Sequence, residues 1–444
     1  APRQGDLRLA RERAEGHVRH VERHVEHDGL RGPRVVSSVN LNREQIPAEA
    51  GSSDSFSPPL LRDPNLHIVF GITLMAVLGV SSITPAFPRM AETLGISTAR
   101  IGLLISFFSL PGIILTPIFG ILADRIGRKP ILVPSLFLFS IAGGACYFAQ
   151  TFPGLLALRF FQGVGAASLG SLNATLIGDL FEGKRRAIAM GYNAGVLSAG
   201  TASYPAIGGA MAMFGWHYPF LLPLLAFPVG IAVIFRLKNP EPGGGMSMGN
   251  YLKGAFATFR RKEVIGLFSA ALVTFIILFG SYLTYFPILM SERFSATPLL
   301  IGILMSSMSV VTIFSSTRIG WLIHHFRGRT LIITAYIHYA AALLLIPLMP
   351  SPSWLIVPVI IAGLGHGINL PVIMTLLTGM APLEYRGAFM SVNGMVIRIG
   401  QTIGPVLMGM VAIVMGTDGV FVTGAILALS ALVVIFLTIP KSME

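Results

Sequence analysis

The sequence predicts an all-α integral membrane protein whose twelve transmembrane helices form two six-helix halves related by an internal repeat. Three observations predict it. Charge is scarce: 53% of the 444 residues are hydrophobic and 12% are charged, with mean hydropathy +0.73, whereas soluble domains carry roughly 25% charged residues. Apolar stretches of about twenty residues, the length a helix needs to cross hydrocarbon, follow one another from residue 65 onward. The later stretches echo the earlier ones at a constant offset of 200 positions.

The net charge of +12 does not signal nucleic acid. Ten basic and ten acidic side chains in residues 1–64 cancel, leaving 22 basic and 10 acidic among the other 380 residues, in short clusters between apolar runs. The single cysteine, Cys146, excludes an internal disulfide and a cysteine metal site and reads as a small packed hydrophobe.

Residues 1–64 are set aside from the fold as a disordered tail. The stretch is rich in Arg, Glu and His and has no apolar signal-peptide core. His17, His20, His24 and His27 would share one helical stripe. That stripe spans about 15 Å, too long for one ion held by bonds of ~2 Å, so no metal is expected.

The spans then follow in order. The first six are 65–87, 99–122, 129–150, 153–179, 185–211 and 215–236; the second six are 263–289, 298–322, 330–349, 353–381, 386–414 and 418–439. Gly and Pro interrupt many of them, which bundled membrane helices tolerate. With the N-terminus placed in the cytoplasm, the cytoplasmic segments hold sixteen Lys and Arg and the opposite side three, Arg89, Arg100 and Arg293. The excess orients the chain with both termini cytoplasmic. Residues 65–236 and 263–444 are the two bundles. Between them, 237–262 reads as a Pro/Gly linker followed by an interfacial helix, "YLKGAFATFRRK". Gly245-Met246-Ser247-Met248-Gly249 in the linker matches the hydrolase pattern G-x-S-x-G formally. It lacks the preceding strand that this chemistry needs, and no enzyme is expected.

The repeat is specific. Gly163 and Gly165 answer to Gly363 and Gly365, and Ile101-Gly102 to Ile301-Gly302. Arg186, Met190, Asn193, Gly200, Pro205 and Gly209 answer to Arg386, Met390, Asn393, Gly400, Pro405 and Gly409. Likeness between two Gly-rich helices does not produce one fixed offset over three segments. Two parallel halves with a site between them near the bilayer midplane is a transporter arrangement. No G-x-x-x-x-G-K-[ST] loop is present, which disfavours an ATP-driven pump.

Three motifs give a family resemblance. "GILADRIGRKPIL" from Gly120 places Gly120, Asp124, Arg125, Gly127, Arg128 and Lys129 in the pattern G-x-L-x-D-R-x-G-R-K-x-x-L. Arg159, Gln162, Gly163 and Gly165 give R-x-x-Q-G-x-G in span four. In span five Gly191, Gly200, Pro205, Gly208 and Gly209 form a glycine ladder ending G-P-x-x-G-G, with Tyr204 in place of its glycine. On these residues the chain resembles the major facilitator superfamily, in its twelve-span drug:proton antiporter-like branch. The resemblance implies the major facilitator fold, proton-linked efflux of a small amphipathic compound and an Asp124 that caps span eleven. Arg128 is placed to reach Asp179 at the end of span four. These contacts are expected to hold the outward-facing state and to break when the inside opens.

Depth along the spans marks Arg159, Asn173, His366, Asn369, Arg398 and Gln401 as candidates for the substrate cavity, with His366 the group that titrates near neutral pH. A central cation costs about 2.5–3.5 kcal/mol on insertion scales unless it faces a cavity or a partner. No Asp or Glu falls inside a span, so an anionic, zwitterionic or neutral substrate suits the interior. The departure at Tyr204 and the acid-free interior keep open the uptake or facilitated passage of an organic anion; a membrane sensor on the same scaffold is a remote alternative. The expected partners are the substrate and the bilayer, with no nucleic acid. The expected state is a monomer in the cell (inner or plasma) membrane, with no cofactor and a proton gradient as energy source.

Overall fold

In the computed structural model, residues 60–238, 261–381 and 386–440 are described, with side chains from 389 in the last segment; all lie in one unit, Ser57–Glu444. The expectations for residues 1–59 and for the linker at 239–260 fall outside them. Every regular element among the described residues is helical.

The long helices are α1 (Pro64–Ser81), α2 (Leu103–Ile126), α3 (Lys129–Ala145), α4 (Phe152–Leu180), α5 (Gly183–Phe214) and α6 (Ala226–Arg236), then α7 (Lys262–Ile276), α8 (Pro298–Thr317), α9 (Gly328–Leu345), α10 (Ile356–Met380) and α11 (Arg386–Thr438). Local chemistry sets their ends. Asp63 caps α1 by accepting from the Asn65 amide at 2.9 Å, and Pro64 opens the first turn, where a missing N–H costs nothing. Thr297 and Pro298 do the same for α8. Gly127, at φ 93°, ends α2 in a conformation that glycine adopts without strain and turns the chain directly into α3.

Ten helical stretches among the described residues are long and apolar enough to cross a membrane. α5 is not one of them, although its 32 residues are long enough; its Lys184-Arg185-Arg186 start and many Gly, Ser and Thr lower its apolarity. α11 includes two of the expected spans, 386–414 and 418–439, with the helix broken at Gly416 (φ 70°). Expected span six is a 3-10 segment, Tyr218–Leu225, before α6, because Pro219 and Pro223 withhold backbone donors. The outer surface is apolar: Val414 is 83% and Leu437 79% exposed, as in a helix bundle solvated by lipid. The protein is a multi-pass membrane protein.

The contacts repeat with the sequence. A Cβ on Gly163 would meet the Phe108 carbonyl; one on Gly363 would lie 2.8 Å from the Met308 carbonyl. A Cβ on Gly165 would sit 2.7 Å from the Ser135 carbonyl, and one on Gly365 2.9 Å from that of Ala335. Each pair is 200 positions apart. These glycines let α4 lie backbone-to-backbone on α2 and α3, and α10 on α8 and α9, as small residues do in membranes.

Candidate functional site

α2 meets α11, and α5 meets α8, mainly through residues near one end of the bundle. Ser106 donates to the Thr402 carbonyl at 2.7 Å, and the Ala206 amide to Ser306 Oγ at 3.1 Å. A Cβ on Gly102 would be 2.8 Å from Pro405 Cβ, and one on Gly302 would meet the Pro205 carbonyl. Gly209 and Gly409 repeat the exchange against the carbonyls of Pro298 and Ala99. Toward the opposite end, which carries the 124–129 motif, Gly120, Gly191, Gly195, Gly320 and Gly394 have nothing within 4 Å of an added Cβ. The bundle is therefore closed at one end and open at the other.

A cavity of about 390 Å³ lies on the open side of the closed contacts. Helices α1, α2 and α5 supply one side and α7, α8, α10 and α11 the other. Its walls are largely apolar and aromatic: Val77, Phe108, Phe275, Phe279, Met305 and Met308 among others. Hydroxyls of Ser198, Thr201, Ser309, Thr312 and Ser316 are spaced around it, and Tyr282, His366, Arg398 and Gln401 complete it. A second hollow, of about 690 Å³, lies between residues 323–328, which lead into α9, and the end of α10, and includes His324, His325 and Arg327. Of these two, the central cavity is the one walled by both groups of helices.

Arg398 Nη1 approaches Gln401 Oε1 at 3.3 Å, and the side chain lies against Gly112 of α2, whose added Cβ would be 2.9 Å from Nε. Arg398 thus reaches from α11 across to the other group of helices. His366 Nδ1 is 2.7 Å from the Tyr339 hydroxyl. A π-helical segment, Ile277–Tyr285, continues α7 and carries Leu278, Phe279, Tyr282 and Leu283 to the cavity wall. Such i→i+5 turns are rare and concentrate at functional sites.

Of the six residues expected at the cavity, His366, Arg398 and Gln401 are there, and Arg159, Asn173 and Asn369 are elsewhere. Arg159 is fully buried behind the wall. It donates to the Leu104 carbonyl at 3.2 Å and to Gln162 Oε1 at 2.6 Å, and its guanidinium stacks 4.3 Å from the Phe108 ring. Asn173 donates to Thr73, whose hydroxyl reaches Asn193 Oδ1 at 2.5 Å, tying α4, α1 and α5 together. Asn369 donates to Thr274 at 2.7 Å, which meets the Tyr336 hydroxyl at 2.9 Å and ties α10, α7 and α9 in the same manner. Buried amides joined in this way fix helix packing. Their position in mid-span, which the sequence shows, is the same for a packing amide and for a cavity amide. The sequence reading missed the aromatic and thioether walls, because Phe and Met in apolar helices carry no signal of which way they face. The one available sign was Gly280 inside the aromatic run "FIILFGSYLTYF".

In the motif at the open end, Arg128 bonds Asp124 at 2.6 Å and Asp179 at 2.9 Å. Arg125 is exposed, and Lys129 donates to the Ile234 carbonyl. The expectation that the Arg128–Asp179 contact breaks when this end opens is corrected: the pair is made while the end is open. Its charges all stand at the termini of α2, α3 and α4. The expected cap from Asp124 onto span eleven involves residues 382–388, outside the described side chains. In α5, Gly200, Tyr204, Pro205, Gly208 and Gly209 are buried, and an added Cβ on Gly208 would meet the Ser82 carbonyl; Gly191 faces open space.

Two segments, 69–294 and 267–443, match the family model described as Major Facilitator Superfamily. The chain is 26% identical to the bacillibactin exporter of Bacillus subtilis (strain 168), over 77% of this chain and 88% of that one. It is 26% identical to multidrug resistance protein 1 of the same organism, over 78% and 89%. Among solved structures, a bacterial homolog of the human lysosomal transporter Spinster, in an inward-facing and unoccupied conformation, superposes with a TM-score of 0.71 at 18% identity, over 86% of this chain and 97% of that one. With the model matched along nearly all of the described bundle, the chain belongs to the Major Facilitator Superfamily.

Proposed function

We propose that the protein is a secondary active transporter that moves a small amphipathic compound across the membrane by alternating access, in proton-linked efflux. The observation that carries this reading is the central cavity, walled by both groups of helices, with contact between them at one end only. Rocking the groups about the cavity would close the open end and open the closed one. Twelve passes support the reading: ten apolar stretches, α5 as an eleventh crossing, and a twelfth from the break in α11 at Gly416. They divide into two six-helix halves, α1–α6 and α7–α11, as the contacts repeated 200 positions apart support. The positive-inside excess sets both termini and the open end in the cytoplasm, so the described conformation is inward-facing.

Efflux is the direction because the relatives are named as an exporter and a resistance protein. His366, the one imidazole on the cavity wall among the described residues, is the group assigned to the coupling proton. The test is purified protein in proteoliposomes with imposed proton gradients and a panel of anionic, neutral and cationic amphipathic dyes. Gradient-dependent movement of at least one dye is expected, and loss of its gradient dependence in His366→Gln. Movement that ignores the gradient would reduce the protein to a facilitator, and none for any dye would defeat the transport reading.

A further inference from the structure

We infer that the cargo is an amphipathic organic anion whose charge is held by Arg398, with the Tyr282 hydroxyl as a second donor. The inference rests on the reading of the central cavity as the cargo site and narrows it, since the sequence left zwitterionic and neutral cargo open. Among the described residues, Arg398 is the only Arg, Lys, Asp or Glu on the cavity wall. Among the described residues the ion pairs are those of Arg128 with Asp124 and Asp179 and of Arg293 with Asp418, and no carboxylate pairs with Arg398.

Its one side-chain hydrogen bond runs to a neutral amide at the long distance of 3.3 Å. Its remaining guanidinium nitrogens make no hydrogen bond, yet none of them is sealed from solvent. An unpaired cation in a low-dielectric cavity attracts an anion strongly and repels a second cation. A guanidinium also offers a planar fork of donors matched to a carboxylate or sulfonate.

Tyr282 is an independent observation pointing the same way. Its ring lines the cavity from the π-helical segment, and its buried hydroxyl has no hydrogen-bond partner. A buried donor left unmade is costly; the hydroxyl is closed off from the cavity, and a small shift of the Tyr282 ring on cargo binding would bring it to an acidic group. The rest of the wall specifies the cargo's body. Phe108, Phe275 and Phe279 offer ring faces, and Met305 and Met308 adapt to irregular shapes. A volume of about 390 Å³ is at the small end of drug-sized sites. The ligand class is a compact aromatic acid.

The experiment measures equilibrium binding of three fluorescent probes of closely similar shape to the full chain in detergent: dansylglycine, its methyl ester and dansylethylenediamine. They carry a negative, no and a positive charge. The acid is expected to bind about tenfold or more tighter than the ester, the margin of one charge-assisted hydrogen bond, and the amine to bind weakest. Arg398→Gln should bring the acid's affinity down to the ester's and leave the ester's unchanged. Arg398→Lys should retain part of the difference, and Tyr282→Phe should weaken the acid more than the ester. Acid and ester binding alike in the wild type, an amine that binds tightest, or a preference intact in Arg398→Gln would each overturn the inference. The wild-type comparison stands even where a variant does not fold. Acid-selective binding without gradient-driven transport would defeat the efflux reading and keep the anion site. Transport of the amine with amine-selective binding would do the reverse.

Discussion

Two mid-span arginines, Arg159 and Arg398, look equivalent in the sequence and are not equivalent in the structure, where Arg159 is fully buried and Arg398 only partly. Both lie well inside apolar helices, and insertion cost gives each the same reason to seek a cavity or a partner. Arg159 has found partners, the Leu104 carbonyl, Gln162 and the Phe108 ring, and sits one ring behind the cavity wall. Arg398 has not. The distinction was illegible because periodicity tells inside from outside only when one face is polar, and α4 and α11 are apolar nearly all round. Truncating Arg159 would strip the acceptors Leu104 O and Gln162 Oε1 of their donor, at about 1–3 kcal/mol for each buried group left unsatisfied. Arg159→Ala is therefore expected to lower the thermal unfolding midpoint in detergent while the folded fraction keeps the wild-type preference for acid over ester. Unchanged stability with a lost preference would place Arg159 in the binding site after all.

At the scale of elements, helix existence was legible and helix irregularity was not. Runs of about twenty apolar residues announce the helices, and Asp63, Thr297 and Gly127 announce some of their ends. The π-helical segment after α7 has no comparable signature, because it depends on what packs against it. There Gly280 and Gly404 touch backbone to backbone: a Cβ on Gly280 would be 2.6 Å from the Gly404 carbonyl, and one on Gly404 2.8 Å from that of Ile276. The approach holds α7 against α11 and so fixes Tyr282 relative to Arg398. Gly404→Ala must push the helices apart, and overpacking of this kind typically costs about 1–3 kcal/mol. Lower thermal stability together with weaker binding of the acidic probe is the expected result. Gly394→Ala, on the same helix but facing open space, should leave probe binding unchanged and gain slightly in helix propensity. If the two alanines behave alike, the α7–α11 contact does not set the site.

For the whole molecule, the repeat was written in the sequence, whereas the conformation it adopts was not. A 200-residue offset implies two alike bundles, and the matched glycine contacts of α4 and α10 follow from it. Which end the bundles close depends on a balance between two small interfaces, and that balance leaves no pattern in one chain. The closed end is held by Gly102 on Pro405 and Gly302 on Pro205. A larger side chain there is a wedge, so Gly302→Val should favour the state open to the outside. The motif at the opposite end acts the other way. Arg128 binds both Asp124 and Asp179 while that end is open, so the ion pairs do not require that end to be closed. A contact from the motif to the other bundle would require it, and Asp124 facing the start of α11 is the proposed one. A carboxylate at a helix N-terminus contributes about 0.3–1 kcal/mol, up to ~2 when partly buried, which is roughly a two- to thirtyfold shift in a two-state population. Asp124→Asn should therefore favour the inward-facing state by that factor. One reporter reads both variants. Ser81 lines the cavity and the sole natural cysteine, Cys146, is buried, so Ser81→Cys can be labelled by a membrane-impermeant thiol reagent applied from outside. Gly302→Val should raise the labelling rate and Asp124→Asn should lower it. An unchanged rate in Asp124→Asn would leave the motif as an anchor for the ends of α2, α3 and α4, with no part in choosing the state.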